Sequence, residues 1–132
     1  MINEYPAGIG IMPHTDGPSY YPYVVILSLL SSCVFNFFEN YETYKNETRL
    51  ASLFVEKNSL LIFTNECYEK FLHCIDDLKY DWIYAETKDG NIIKSNIDNL
   101  NTENLEKNDI FDKNIAREKR ISITIRFVHL KK

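Results

Sequence analysis

Residues 120–128 alternate polar and branched apolar side chains more regularly than any other segment of this chain. Because successive side chains of a strand point to opposite faces, this alternation predicts a β-strand. The branched residues, which we expect to face the core, are Ile121, Ile123 and Ile125. The opposite face would carry Arg120, Ser122, Thr124 and Arg126. The fold therefore has to accommodate two arginines on one face of a strand.

Other short segments also have the composition of strands rather than helices. Residues 22–32 are almost continuously apolar and rich in β-branched side chains, which indicates a buried strand. Further runs that favour strands cover residues 34–39, 50–55 and 59–64. The last two flank residues 56–58, so we expect them to form a β-hairpin. Residues 65–72 are compatible with a short helical turn that leads to His73. Several short strands with almost no helix predict an all-β sandwich or barrel.

The composition is that of one folded domain. The 132 residues are 45% hydrophobic and 14% aromatic, and a chain of this length has room for one core but not for two. Fifteen basic and nineteen acidic residues give a formal net charge of -4. This balance argues against a stand-alone nucleic-acid-binding protein, so any contact with nucleic acid has to be local.

The cysteines and the length of the apolar runs indicate where in the cell the protein is located. Cys33, Cys67 and Cys74 are odd in number and contain no C-x-x-C pair, which argues against a disulfide framework and against a zinc site. The longest apolar run is too short to span a membrane, and the first residues have no secretory signal pattern. We therefore expect a soluble, intracellular protein of the nucleus or cytoplasm, with no membrane partner.

The composition changes over residues 76–118, where seven asparagines are mixed with Lys, Asp and Glu. A segment with so few apolar side chains predicts a long, mobile insertion of low complexity. Residues 81–84, at its start, could still pair as a strand. We therefore expect a single domain over residues 1–132 that contains an insertion at about residues 76–118.

His14 and Asp16 are separated by one residue, and in a strand two such side chains point the same way. An imidazole and a carboxylate placed in this way can occupy neighbouring positions around a divalent ion. A distant second histidine would complete the two-His, one-carboxylate site of non-haem iron(II) oxygenases. By itself the pair is a weak signal, and a surface His and Asp in a turn rich in Gly and Pro is the commoner case.

The order of several motifs resembles one family. Asn3-x-Tyr5, His14-x-Asp16, His73 and Arg120-x5-Arg126 are similar to the motif set of the AlkB family of Fe(II)- and 2-oxoglutarate-dependent dioxygenases. The residues around them, Asn-Glu-Tyr and Gly-x-Gly-Ile-Met-Pro-His-x-Asp-Gly-Pro-x-Tyr-Tyr-Pro, are most similar to an animal branch of that family. The resemblance covers residues 1–75 and 120–128, and it implies a double-stranded β-helix (jelly-roll) core.

The resemblance implies a role for each motif residue. The Fe(II) ligands would be His14, Asp16 and His73. The residues that bind 2-oxoglutarate would be Asn3, Tyr5, Arg120, Ser122 and Arg126. Arg120 would pair with the distal carboxylate, because a guanidinium matches the geometry of a carboxylate better than an ammonium does. Arg126 would serve the carboxylate near the iron and would brace Asp16. Ser122 replaces an Asn of some relatives, which weakens that contact.

The family also implies an activity. Its members use Fe(II), 2-oxoglutarate and O2 to oxidise alkyl groups, and many demethylate N-alkylated bases in DNA or RNA. Tyr20 and Tyr21 could stack against such a base or could simply be strand aromatics. In relatives a lid and the first strands precede the Asn-x-Tyr motif, and here Met1 is two residues before Asn3, so these parts are expected to be missing, as in a truncated form. Two alternatives stay open: a non-catalytic jelly-roll interaction module, and a dioxygenase that acts on a protein or small molecule. The sequence does not indicate the oligomeric state.

Overall fold

The computed structural model describes residues 1–86, 92–94, 97–99 and 113–128 of the chain. These residues form strands and two short helices. The strands are β1 (Ile2–Tyr5), β2 (Ile11–His14), β3 (Tyr23–Leu29), β4 (Cys33–Phe38), β5 (Ala51–Val55), β6 (Ser59–Thr64), β7 (Leu72–Ile75), β8 (Tyr80–Glu86), β9 (Ile92–Lys94), β10 (Lys113–Ala116) and β11 (Arg120–Arg126). The helices are α1 (Tyr41–Lys45) and α2 (Glu66–Glu69). The prediction of a helical turn within residues 65–72 is confirmed by α2.

Two four-stranded antiparallel sheets make up the main body of the described chain. The first has the strand order β1-β11-β3-β6, and the second has the order β2-β7-β4-β5. Consecutive strands from β1 to β7 lie in opposite sheets, except that β4 and β5 pair with each other in the second. This arrangement is a double-stranded β-helix, or jelly roll. The prediction of an all-β fold of this class is confirmed.

Apolar side chains from both sheets meet in one core. Its buried members are Val24, Ile26, Cys33, Phe35, Phe37, Val55, Phe63, Tyr68 and Ile75. Burial of such side chains is the main source of stability for a sandwich of this kind. Ile26, Phe35 and Ile75 also line a cleft between the sheets, so the core forms one wall of that cleft.

The two faces of β11 are oriented opposite to the prediction. Arg120, Ser122 and Thr124 are buried, whereas Ile125 is 46% exposed. The polar face points into the space between the sheets, where Ser28 of the neighbouring strand β3 is also buried. The predicted alternation is correct, but hydrophobicity alone assigns the wrong inner face because the interior here contains a polar cleft.

The isoleucines of β11 belong to an apolar outer face of the first sheet. Ile123 lies between Ile2 of β1 and Leu27 of β3, and Leu27 in turn pairs with Leu60 of β6. Ile2 is 73% exposed and Leu60 is 56% exposed. An aliphatic row therefore crosses all four strands on the side that faces away from the core.

The prediction of a hairpin over residues 50–64 is wrong. β5 pairs with β4 in the second sheet, whereas β6 pairs with β3 in the first. The connection between β5 and β6 therefore passes from one sheet to the other. Asn58 adopts a φ of 63° in this connection and donates its backbone N–H to the carbonyl of Ser28 at 2.7 Å. A short polar loop between two apolar runs is compatible with both a hairpin and a sheet-to-sheet corner, and here the core selects the corner.

Both ends of the predicted insertion are structured. β8 pairs with β10 and β9 to form a third antiparallel sheet, which confirms the predicted pairing of residues 81–84. Buried Ile83 of β8 packs against Val34 and Phe54 of the second sheet, a contact that the predicted mobile insertion did not include. The remainder of the predicted insertion, residues 87–91, 95–96 and 100–112, lies outside the described residues.

The helices are short and lie at the ends of strands. α1 follows β4, and its first turn is capped by the side chain of Asn40. Neither helix, and no other helix in the described part of the chain, is long and apolar enough to cross a lipid bilayer.

Candidate metal centre

Three potential metal ligands lie close together where β2 ends beside β7. β2 ends at His14 and runs antiparallel to β7, which places His14 directly opposite His73. Asp16 lies two residues beyond the end of β2, in the following loop rather than on the strand itself. One ligand atom of each of these three residues lies within 4.8 Å of the others. The strand pairing thus brings together residues that are almost sixty positions apart in the sequence.

The ring of His14 is oriented by a local hydrogen bond. Its Nδ1 lies 2.8 Å from the carbonyl oxygen of Met12, and only an N–H donor can make this contact. In the neutral ring, this contact places the proton on Nδ1 and the lone pair on Nε2. This is the arrangement usual for metal-binding histidines, whose second nitrogen donates to a carbonyl or a carboxylate.

His73 is held as a neutral imidazole by its aromatic surroundings. It is only 2% exposed, and its ring stacks on Phe35 at a centroid distance of 5.3 Å and an interplanar angle of 18°. Burial and the nearby His14 lower the pKa of His73 to about 4, although Asp16 opposes this shift. At neutral pH the ring consequently has a lone pair available for a metal ion.

Neither ring nitrogen of His73 makes a hydrogen bond within the described residues. Its Nδ1 is buried without a partner, and its Nε2 lies 3.9 Å from Oδ2 of Asp16, which is too far for a hydrogen bond. A buried polar atom in this situation normally has a partner. A divalent cation between His14, Asp16 and His73 would provide one for Nε2, so the ligand set fits such an ion.

Arg126 of β11 fixes the carboxylate of Asp16. A terminal nitrogen of its guanidinium pairs with Oδ1 of Asp16, and the other carboxylate oxygen faces His73. Asp16 has a side-chain exposure of only 5%. The ion pair leaves one oxygen free for a metal ion, and it places Arg126 where the sequence predicted a brace for Asp16.

The other end of the cleft contains Arg120. Its side chain is 4% exposed, its Nε donates to Oγ of Ser28 at 2.8 Å, and its guanidinium lies 5.3 Å from the ring centre of Tyr5. No carboxylate of the described residues forms an ion pair with it. A buried guanidinium without an anion is costly, so this position is suited to the carboxylate of a bound small molecule.

The predicted site residues surround one cleft between the two sheets, which is partly open to solvent. Its lining includes all eight residues of the two predicted groups, namely Asn3, Tyr5, His14, Asp16, His73, Arg120, Ser122 and Arg126. The register explains this result, because Asn3 of β1 pairs with Ser122 of β11. Strand β11 thus carries cleft residues along its whole length.

The two predicted mouth residues are placed differently. Tyr20 is 36% exposed, and the guanidinium of Arg126 lies 5.7 Å from the centre of its ring. Tyr21 is 54% exposed and donates its backbone N–H to the carbonyl of Phe127 at 2.8 Å. Tyr20 is consequently the tyrosine that contacts the cleft, through Arg126.

Ser28 and Tyr68 were not predicted as site residues. Ser28 is fully buried and accepts a hydrogen bond from Arg120. A signal for it exists in the sequence, since a serine within the apolar run of β3 indicates an inward polar contact. Tyr68 hydrogen-bonds the loop that carries Tyr20, and its sequence context contains no comparable signal.

We expect the metal-free protein to lose stability in acid because of His73. Its pKa is lowered from 6.5 to about 4 on folding, so the unfolded chain binds more protons between these values. The free energy of unfolding therefore decreases as the pH falls through this window. From pH 7 to pH 5 the contribution of His73 should be a loss of about 2 kcal/mol, measured by urea unfolding. In His73→Gln the free energy of unfolding should fall by about 2 kcal/mol less between pH 7 and pH 5. If the variant has the same pH dependence as the wild type, the lowered pKa of His73 is not the cause of the loss.

Comparisons with known proteins indicate the same chemistry as the residues of the cleft. Residues 1–126 match the model of a family described as the 2OG-Fe(II) oxygenase superfamily. The chain is 30% identical over 135 residues to the "Probable RNA/DNA demethylase ALKBH6" of Danio rerio, an alignment that covers 97% of this chain and 52% of that protein. It is also 30% identical over 129 residues to an uncharacterized protein of Acanthamoeba polyphaga mimivirus, with 97% and 47% covered. The chain thus spans about half the length of these relatives.

The residues of the cleft fit the groups that this superfamily uses, namely Fe(II), 2-oxoglutarate and O2. His14, Asp16 and His73 supply two imidazoles and one carboxylate, which suit iron(II) and leave coordination positions open. Arg120 supplies a buried cation without an anionic partner among the described residues. The extent of the family match, together with this ligand set, shows that the chain belongs to the 2OG-Fe(II) oxygenase superfamily.

Proposed function

We propose that this chain forms the catalytic core of a dioxygenase that removes methyl groups from N-alkylated bases of DNA or RNA. One observation carries the proposal: a two-His, one-carboxylate cluster and a buried, carboxylate-free Arg120 line the same cleft. The nucleic-acid substrate is supported by the name of the Danio rerio relative and by the exposed Tyr20 ring near the metal ligands. The protein would act in the nucleus or cytoplasm, which three free cysteines support.

The metal ligands would hold Fe(II) at the end of the cleft nearest to Tyr20. When bound, Fe(II) and 2-oxoglutarate supply the chemistry by which O2 oxidises a C–H bond of the substrate, with succinate and CO2 as by-products. An N-methyl group hydroxylated in this way releases formaldehyde and leaves the unmethylated base. The protein itself contributes ligand geometry, orientation of the cosubstrate and exclusion of water.

The residues of β1 and β11 would orient 2-oxoglutarate. Arg120 would pair with its distal carboxylate, while Ser28 fixes the guanidinium through its Nε. Asn3 and Tyr5 line the same wall and would donate hydrogen bonds to the cosubstrate. Arg126 would contact the carboxylate at the metal end through its buried Nε, which has no partner within the described residues.

The aromatic side chains next to His73 would keep water away from the reaction. Phe35, Phe37 and Phe63 are all buried, and their ring centres lie between 5.1 and 6.0 Å from that of His73. An apolar wall of this kind strengthens electrostatic contacts within the cleft and limits side reactions with solvent.

The first test is an anaerobic titration of the purified protein with Fe(II) and 2-oxoglutarate, followed by its visible charge-transfer band. We expect a band in the wild type, no band in His14→Ala, and an affinity for 2-oxoglutarate about 100-fold weaker in Arg120→Ala, since a charge-assisted contact is lost. The affinity of Arg120→Lys for 2-oxoglutarate should lie between those of the wild type and Arg120→Ala, because lysine keeps the charge but lacks the planar guanidinium.

The matched control is Lys119→Ala. Lys119 is adjacent to Arg120, but its ammonium is exposed and pairs with Glu4 outside the cleft. Its removal should leave the affinity for 2-oxoglutarate unchanged. A folded wild-type protein without a band would overturn the dioxygenase proposal and favour the non-catalytic interaction module. A band with turnover that methylated oligonucleotides do not stimulate would favour a protein or small-molecule substrate instead.

A further inference from the structure

Tyr68 of α2 holds the loop that follows Asp16. Its side chain is only 1% exposed, and its hydroxyl accepts a hydrogen bond from the backbone N–H of Tyr20 at 2.8 Å and donates to the carbonyl of Tyr20 at 3.0 Å. Its own carbonyl accepts the backbone N–H of Gly17 at 3.1 Å. One buried side chain and its backbone therefore fix both ends of the segment between Gly17 and Tyr20.

Gly17 allows this close approach. A Cβ atom at Gly17 would lie 3.1 Å from Cε1 of Tyr68 and 3.1 Å from its carbonyl oxygen, both tighter than ordinary contacts. The absence of a side chain at Gly17 thus lets the loop pack directly on α2. The contact between the loop and Tyr68 is specific rather than incidental.

The hydroxyl of Tyr68 replaces a strand partner for Tyr20. Tyr20 lies before β3, and its backbone pairs with no strand of the described residues. A tyrosine hydroxyl can donate and accept at the same time, and here it does both to the backbone of one residue. Both backbone groups of Tyr20, whose ring lies beside Arg126, are therefore held by the Tyr68 hydroxyl, while the next residue, Tyr21, is held by the carbonyl of Phe127.

The contacts continue from Tyr20 to the metal ligands. The Tyr20 ring lies 5.7 Å from the guanidinium of Arg126, which in turn pairs with Asp16. Asp16 and the backbone of β2 are themselves held by other contacts, including the strand pairing of His14 with His73. Loss of the Tyr68 hydroxyl should consequently release Tyr20 without displacing the metal ligands.

We propose that Tyr68 is a positioning residue that fixes the Tyr20 ring as a wall of the substrate mouth. The proposal rests on the dioxygenase function proposed above. Tyr68 acts on the affinity for an aromatic base through Tyr20, and it does not act on the binding of Fe(II) or 2-oxoglutarate.

The test compares Tyr68→Phe with the wild type. The Fe(II) and 2-oxoglutarate titration should give the same band and affinity in both proteins. With a single-stranded oligonucleotide that carries an N-methylated adenine, the KM should rise about tenfold, the effect expected for the loss of one or two neutral hydrogen bonds, while kcat changes little. Cleavage by chymotrypsin between Tyr20 and Tyr21 should become faster, which reports the release of the loop without any substrate.

Two further variants separate positioning from general destabilisation. Tyr44→Phe removes a tyrosine hydroxyl on α1, and the ring of Tyr44 packs on Phe38 away from the cleft. Its KM and its cleavage rate should match the wild type. Tyr20→Ala should raise the KM, and adding Tyr68→Phe to Tyr20→Ala should raise it no further, because Tyr68 acts only through Tyr20.

The outcomes distinguish this proposal from the one on which it rests. A wild-type protein without a band overturns the dioxygenase function. A wild-type protein that binds both groups and turns over the oligonucleotide, together with an unchanged KM or cleavage rate in Tyr68→Phe, overturns only the role of Tyr68. Additive effects of Tyr20→Ala and Tyr68→Phe on the KM overturn it as well.

Discussion

Replacement of Asp16 by alanine is expected to abolish turnover and to weaken the binding of Fe(II) by about 100-fold or more, an effect at least as large as that of losing an outer partner of a metal ligand. Asp16 is the only carboxylate of the cluster in the described residues, and it also neutralises Arg126. Without it, the guanidinium of Arg126 would be left beside the position of a dication. The variant therefore loses a ligand and gains an electrostatic repulsion.

The contribution of this repulsion can be measured separately. In the double variant Asp16→Ala with Arg126→Leu, the lost ligand is the same but the uncompensated cation is gone. Its Fe(II) affinity should be higher than that of Asp16→Ala alone, even though Arg126→Leu by itself weakens binding by about 10- to 100-fold. Isothermal titration with Fe(II) under anaerobic conditions measures all four proteins of this cycle.

The control for Asp16→Ala is Glu39→Ala, which removes an exposed carboxylate at the end of β4. It should leave both the Fe(II) affinity and the turnover unchanged. If Asp16→Ala retained the wild-type affinity while remaining folded, the metal ion would have to bind elsewhere. The two-His, one-carboxylate assignment would then be wrong.

The candidate metal ligands could be predicted from the sequence because their spacing and order resemble a known family, and neither requires knowledge of packing. Strand pairing explains why they meet, since the register of β2 and β7 sets His14 opposite His73. The geometry of Asp16 was less predictable. The strand ends at His14, so Asp16 reaches the cluster from a loop that Arg126 and Tyr68 hold in place.

The errors in the fold share one physical cause. Periodicity identifies two faces of a strand, but the assignment of the inner face assumes an apolar interior. In β11 the buried face carries Arg120, because Ser28 and the cleft accommodate its guanidinium. Likewise, β5 and β6 are separated by only three residues, yet each pairs within a different sheet. Both features depend on contacts distant in sequence, which local patterns do not contain.

A buried ion pair within residues 76–118 was not predicted from the sequence. Arg117 donates its Nε to Oδ2 of Asp81 at 2.6 Å and a terminal nitrogen to Oδ1 at 2.5 Å. Its other terminal nitrogen donates to the carbonyl of Asp76 at 2.5 Å. Asp81 is 1% exposed and Arg117 is 7% exposed. A charge-rich composition suggested solvent exposure, whereas this pair is enclosed by the fold.

The ion pair between Asp81 and Arg117 connects the third sheet to the start of β11, the strand that carries Arg120 and Arg126. Asp81 belongs to β8, and Arg117 lies between β10 and β11, three residues before Arg120. The backbone N–H of Arg117 also donates to the carbonyl of Lys79 at 2.9 Å. Burial alone would lower the pKa of Arg117, but its hydrogen bonds to Asp81 and the charge of that carboxylate raise it instead. The guanidinium of Arg117 is therefore charged at neutral pH.

Asp81→Ala is expected to destabilise the protein by about 3–5 kcal/mol, because it leaves the buried guanidinium of Arg117 without a counter-charge. The free energy of unfolding is measured by urea denaturation of the metal-free protein. The double variant Asp81→Leu with Arg117→Met should regain most of this loss, since two apolar side chains of similar size replace the pair without leaving a charge. If the free energy of unfolding fell equally in Asp81→Ala and in the double variant, the shape of the side chains, and not their charge, would determine the loss of stability.

The matched comparison is the exposed ion pair between Lys119 and Glu4, whose side chains are each 56% exposed and 2.8 Å apart. Glu4→Ala should change the free energy of unfolding by no more than about 1 kcal/mol, because water screens the remaining charge. The two pairs lie within three residues of one another along the chain at Arg117 and Lys119, so the contrast isolates burial. If Asp81→Ala cost no more than Glu4→Ala, water would have to reach Arg117 in the folded protein, and the third sheet would not be held to β11 by this contact.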